Sequence, residues 1–256
     1  MPKSPNWTRG ELIVAFNLYL KLPFGKLHTG TKAIQDLADL VGRSHSSMAM
    51  RLNNFASVDP YHQQRGVKGL DGGYNQVKPI WDEFINNQES LIFESETILA
   101  EYQHKTIAEV YPDIEFDLKD LRGEVKMRHV KTRVNQRVFR EIILKTYENR
   151  CAISGIDIPE LLVAGHIVPW AENEHERLNP ENGLCLSNLY DRAYEKGLIC
   201  IDVDYRILIS KELRENSMKI YYDTFFGRLA GKAISLPRQY KPRQDFIQYR
   251  LDRFNR

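Results

Sequence analysis

The sequence predicts an α+β protein: a helical N-terminal domain followed by a C-terminal domain built on strand, loop, strand and helix. Three observations carry this. Residues 7–85 repeat apolar side chains at helical intervals; 161–170 form an apolar run with a histidine in it; Leu189 to Lys196 regain helical character before Gly197. A chain of 256 residues with 42% hydrophobic content can bury two cores of ordinary size. The expected division is 1–88, a helical and basic linker over 89–130, and 131–256.

Thr8 and Glu11 have the spacing of a capping box, and Leu12, Ile13, Phe16 and Leu20 follow as one apolar stripe. Pro23-Phe24-Gly25 stops that helix. A second helix fits 32–41, with Ile34, Leu37, Ala38 and Val41 on one face. Ser44 caps a third helix, whose buried stripe is Met48, Leu52 and Phe55. Two short helices joined by Val41-Gly42-Arg43-Ser44 have the size and turn chemistry of a helix-turn-helix. On that reading Arg43, His45, Ser46, Ser47, Arg51, Asn53 and Asn54 are exposed, a polar set suited to base edges and phosphates. Arg65 to Gly69 and Asp71-Gly72-Gly73 supply a hairpin wing, making the module winged-helix-like and adding Lys68 as a phosphate contact. Trp7, Tyr19, Phe24, Phe55, Tyr61 and Trp81 are aromatic enough to line a pocket, although core packing accounts for most of them.

Charge totals only +2 but is uneven. Residues 119–140 carry eight Lys or Arg against Asp120 and Glu124, and residues 228–256 carry eight against Asp245 and Asp252. Such blocks can face nucleic acid or simply be solvated; Arg133, Gln136 and Arg137 are the candidate contacts of the first. A helix is expected over Ser90–Lys105 and another over Gln136–Tyr147. Cys151, Cys185 and Cys200 include no CxxC pair, which argues against a disulfide framework and a closed cysteine zinc site. With no apolar stretch near 18 residues and no signal core, a cytoplasmic location and no membrane partner are expected.

The run from Leu161 reads as a buried strand delivering His166. A charged loop follows, Gly183 to Leu186 returns as a strand, and Leu189 to Lys196 forms a helix on which Asp191 and Glu195 share a face. This order brings His166, Asn182, Asp191 and Glu195 together. Singly, each has an ordinary explanation: a core histidine, a turn asparagine before glycine, a solvated acidic face. Jointly they offer what phosphodiester hydrolysis needs: an imidazole to deprotonate water and hard oxygen ligands for one divalent cation.

Arg133-Val134-Asn135-Gln136 with Phe139-Arg140, Arg150-Cys151-Ala152-Ile153-Ser154-Gly155, and the stretch from Leu161 to Gly197 resemble the HNH endonucleases of restriction type, in particular their zinc-free branch. Trp7-Thr8-Arg9, Leu22 to Lys26 and Asn54-Phe55-Ala56-Ser57 resemble a module fused to such nucleases. The resemblance implies a ββα-metal fold with His166 as general base. Asn182 either fixes the loop or binds the metal, Asp191 is a metal ligand, and Glu195 is a second ligand. It implies one Mg²⁺ or Mn²⁺ and no structural zinc, since Cys151/Ser154 and Ser187/Tyr190 stand where zinc cysteines would be. Two departures are Gly165, where many relatives place a ligand, and Tyr190, where the zinc-free branch often has histidine. The implied partner is double-stranded DNA, cut by a homodimer where both strands break. A separate reader suits dependence on a modified base, N6-methyladenine or 5-methylcytosine. A DNA-binding regulator with a decayed nuclease domain and a structure-specific repair nickase are the alternatives.

Overall fold

The computed structural model describes residues 6–22, 24–64, 66, 70–112 and 123–254. It mixes helices with two small sheets and divides into two compact units, Met1–Gln136 and Arg137–Arg256. Among the described residues no helix is long and apolar enough to cross a membrane.

In the first unit α1 (Arg9–Lys21) begins with the full capping box of Thr8 and Glu11. Helix α2 (Lys32–Leu40) leads through the Val41–Ser44 turn into α3 (His45–Val58), where Ser44 accepts the Ser47 amide at 3.2 Å. A short α4 (Pro60–Gln64) precedes α5 (Tyr74–Phe84), and α6 (Gln88–Tyr102) packs on α1 within the stretch read as a linker. A further short helix, α7, spans Ile107–Val110. The core centres on Phe16, which stacks on Phe55 at 4.8 Å and meets Trp81 at 5.2 Å, with Tyr19 beside them. Tyr19, Phe55 and Trp81 are therefore core residues.

Two sequence expectations change in this unit. The Asp71–Gly73 half of the expected wing is a 3-10 turn that opens into α5, and no strand occurs among the unit's described residues. Lys68, with Arg65, Val67 and Gly69, lies outside the described residues, as do Lys119, Asp120 and Arg122 and the side chains of Phe24 and Tyr61. Second, α3 is packed by α1, α2 and α5, so much of its polar face is enclosed. Arg51 and Asn54 are 9% and 7% exposed. Arg43 is ion-paired with Glu11 at 2.7 Å, each side chain 7% exposed. Asn53 donates to the carbonyls of Leu27 and Ala49. Ser46 alone of that set is fully exposed; His45, half-exposed, is held by Asp39 at 2.7 Å, and Ser47 is half-buried.

Helix α8 (Gly123–Thr146) crosses the boundary between the units. In the second unit its buried Val138, Phe139, Ile143 and Leu144 underlie the first sheet. Strands β1 (Leu162–His166) and β2 (Gly183–Ser187) pair antiparallel, His166 opposite Gly183 and Gly165 opposite Leu184. A Cβ on Gly183 would meet Phe139 at 2.9 Å and collide with Ile143, so glycine lets α8 approach the sheet. Helix α9 (Asn188–Glu195) packs on both strands and ends at Gly197, whose φ of +67° suits the left-handed residue that closes a helix. The hairpin β3 (Ile199–Ile201) and β4 (Ile207–Ile209) follows. Short helices α10 (Lys211–Arg214) and α11 (Ile220–Phe225) precede α12 (Gln244–Phe254), which packs on β3.

Candidate active site

His166 ends β1 with its ring stacked on Phe139, 4.0 Å between centroids at 15°, and Trp170 edge-on at 5.4 Å. Nε2 lies 2.8 Å from the Arg177 carbonyl oxygen. A carbonyl only accepts, so Nε2 carries the proton and Nδ1 keeps its lone pair. Burial lowers the imidazole pKa below its usual 6.5, against the smaller upward pull of that hydrogen bond. The ring is a neutral, oriented base.

The loop of residues 167–182 supplies this carbonyl and is pinned by Asn182, 1% exposed. The Asn182 Oδ1 accepts from the Val168 amide at 2.8 Å, and Nδ2 donates to the carbonyls of Val168 and Glu176 at 3.2 and 3.0 Å. Of the two roles left open for Asn182, this geometry is that of loop fixation; an amide committed to three backbone groups is poorly placed to ligate a metal. Arg177 donates to the Trp170 carbonyl at 2.6 Å and lies over the Trp170 ring, folding the loop on itself.

Asp191 sits in the first turns of α9, half-buried and with no hydrogen-bond partner among the described residues. Its carboxyl pKa is pushed up to about 6, first by burial and then by the charge of Glu195; Arg192 and Arg250 oppose this. A Cβ on Gly165 would lie 2.6 Å from Asp191 Oδ1, so the carboxylate occupies the space a side chain on β1 would fill. Glu195 is 56% exposed and pairs with Arg192 at 3.3 Å, which leaves it on the helix face but outside the enclosed part of the site. Among the described residues no three His, Cys, Asp or Glu side chains converge as a metal cage.

Near the base of α9, Cys151 Sγ accepts the amides of Ser154 and Ser187 at 3.3 and 3.2 Å, and buried Tyr190 donates its hydroxyl to the Phe225 carbonyl at 2.9 Å. Arg133 and Arg137 are exposed on α8 and Gln136 is half-buried.

Within the C-terminal basic block Arg243, Arg250 and Arg253 make contacts inside the unit, whereas Arg228, Lys232, Arg238 and Lys241 are exposed. Arg243 pairs with Glu176 at 3.1 Å, its amide donates to the Glu181 carbonyl, and Arg253 pairs with Glu172 at 2.6 Å. Tyr249 also donates to Glu172. Arg250 donates to the Tyr194 carbonyl at 2.8 Å, at the end of α9. Helix α12 thus braces the loop that orients His166. The sequence shows these arginines as a charge block but gives no pairing, and a backbone carbonyl such as that of Arg177 leaves no trace in it.

An oriented imidazole, a two-stranded sheet and a carboxylate on the following helix are thus gathered in one strand–strand–helix arrangement. Residues 151–202 match the family model described as HNH endonuclease, which supports an HNH domain in this stretch and nuclease activity on DNA in general. No curated protein matches the chain.

Proposed function

We propose that the chain is a modular restriction-type DNA endonuclease using one divalent cation and His166 as general base. The observation that carries this is the Nε2–H to Arg177 carbonyl bond, which presents Nδ1 of a neutral imidazole. Nδ1 takes a proton from water, the water oxygen attacks phosphorus, and the 3′ oxygen leaves. Asp191 would hold the cation, with Glu195 as a second ligand, direct or through water. An unpartnered carboxylate held in a partly apolar space fits that role, and a single carboxylate suits Mg²⁺ or Mn²⁺, which keep several waters and substrate oxygens. The cation supplies charge neutralisation at the phosphoryl group and the leaving oxygen. Tyr190 fills its site with a satisfied hydroxyl, which supports a scaffold held without zinc.

The first unit is the reader. Its helix-turn-helix-sized pair α2–α3, with Ser46 exposed and His45 half-exposed, supports contact with DNA, and dependence on N6-methyladenine or 5-methylcytosine follows from separating reader and cutter.

The test is digestion of matched duplexes, unmodified or carrying N6-methyladenine, 5-methylcytosine or 5-hydroxymethylcytosine, with Mg²⁺ or Mn²⁺. Cleavage is expected, with preference for one modified duplex and a loss of about 10²–10⁴-fold in His166→Ala. A wild type that cuts none of them would leave the enzyme reading without support. Equal cleavage of all would remove the modification dependence alone.

A further inference from the structure

Helix α11 of the second unit turns its apolar side chains outward. Met218, just before it, and Ile220 are 95% and 88% exposed, the highest values for large apolar side chains among the described residues; Met127 follows at 58%. Tyr221 and Phe225, 45% and 44% exposed, lie four apart and share one side of the helix. Single exposed apolar residues are ordinary, but four within 218–225 make a patch of the kind that marks a protein contact.

The helix is also short of support. None of its six residues is buried, and its N-cap, Lys219, makes no side-chain capping bond. So short a helix does not persist in water on propensity alone and depends on packing. Its C-terminal end is tied to α9: the Tyr190 hydroxyl donates to the Phe225 carbonyl at 2.9 Å, and buried Phe226 meets the Tyr190 ring at 6.2 Å. Its outer face has no cover among the described residues.

The surrounding charges indicate what covers it. From 211 to 223 the exposed Lys211, Arg214 and Lys219 are balanced by the exposed Glu212, Glu215 and Asp223. A phosphate backbone or an anionic membrane calls for a single sign. A surface bearing both signs in equal number fits a second copy of itself, because in a two-fold contact residue i meets j wherever j meets i. Glu215 and Lys219, on either side of Met218, have no ion-pair partner among the described residues, whereas Asp223 is held by Arg228 at 3.1 Å. Two-fold repetition lets Lys219 of each copy answer a carboxylate of the other.

We propose that the α11 face is the contact between two copies of this chain. Through Tyr190 the contact holds two α9 helices, each with its Asp191, in one fixed relation. Service in a double-strand cut rests on the nuclease reading; the association itself does not, and it is tested in EDTA. A patch of this size is at the small end of specific interfaces, below about 1,200 Å² in total, so the dimer is weak, with a Kd on the order of 10 μM.

Sedimentation equilibrium of the full-length protein from about 1 to 100 μM is expected to show a monomer–dimer equilibrium. Over the same range the Met218 methyl NMR signal should shift with concentration. Ile220→Glu places a charge in the contact but disturbs no core packing. It is expected to raise Kd more than about tenfold with an unchanged circular dichroism spectrum. A dimer lost in this variant while the wild type cuts no DNA supports the contact and sinks the nuclease reading alone. A wild type that stays monomeric throughout, with an unmoved Met218 signal, overturns the proposal without reference to any variant. A dimer that persists in folded Ile220→Glu also overturns it, since the contact then lies elsewhere. So does a monomer whose affinity for duplex DNA falls in Ile220→Glu, which assigns the face to DNA.

Discussion

Asp191 is held in a state that costs the fold something. Its carboxyl pKa is raised from 3.8 to about 6, mainly by burial, so the folded protein binds this proton more tightly than the unfolded chain does. The contribution to stability is therefore most favourable below about pH 4, declines as pH rises through 4 to 6, and is a constant cost above that. Asp191→Asn removes the charge at nearly constant volume. In EDTA at pH 7.5 its Tm is expected to exceed that of the wild type by about 2–4 °C, corresponding to about 1 kcal/mol after allowance for the group's partial exposure. The advantage vanishes near pH 4. Added Mg²⁺ or Mn²⁺ stabilises only the wild type, and the variant loses cleavage, an exchange of stability for function. A Tm for the variant at or below that of the wild type at pH 7.5 would contradict the assignment. At this scale the sequence was informative about placement: His166 ends a strand and Asp191 lies on the helix after the returning strand, as their order implied. It was ambiguous for Asn182, whose amide can serve a loop or a metal until its three backbone partners are seen. It misread Arg43, Arg51 and Asn54, because polarity alone does not reveal which faces of α3 its neighbours cover.

At the scale of elements, those with a cap and an apolar period were legible. The Thr8 capping box, the Ser44 cap and the Gly197 terminus all mark real boundaries. Helix α8 starts at Gly123, thirteen residues before the expected Gln136, because residues 123–133 present charge with no apolar stripe to betray a helix. Helix α5 was hidden by Gly72-Gly73 and by Pro79 within it, although Val77, Ile80, Trp81 and Phe84 recur at helical intervals. Helix α12 lies outside the matched family stretch yet braces the loop behind His166. Arg243→Ala is expected to loosen that loop and lower kcat by about tenfold. Because burial is what depresses the His166 pKa, added hydration should move the acid inflection of the pH–rate profile upward, toward 6.5. Pairing Arg243→Glu with Glu176→Arg should restore both values in part. A kcat loss with an unmoved inflection would mean that the brace does not act through the base.

For the whole molecule, the two-unit division was suggested by the change from helical stripes to a strand–loop–strand–helix order, while the wing expected from glycine-rich sequence gives way at Asp71–Gly73 to a 3-10 turn leading into α5. The count of sites has a kinetic consequence. Each chain holds one His166 and one Asp191 in the matched stretch, hence, on the proposed function, one base and one metal site for one scissile phosphate. The two strands of a duplex run in opposite directions, so a site that has cut one strand must release and rebind inverted, or a second copy must act on the other. Supercoiled plasmid is therefore expected to pass through an open circle before linear product forms. Nicking should be first order in protein, and linearisation should rise with a higher power of protein concentration if two copies act together. Mixing wild type with excess His166→Ala separates the routes. Under the two-copy route the inactive partner fills half of each pair, so open circles accumulate and linear product falls disproportionately. Under sequential rebinding, both products decline in the same ratio. Linear product appearing with no open-circle intermediate at limiting protein would require two sites to fire in one encounter, which a single chain does not contain.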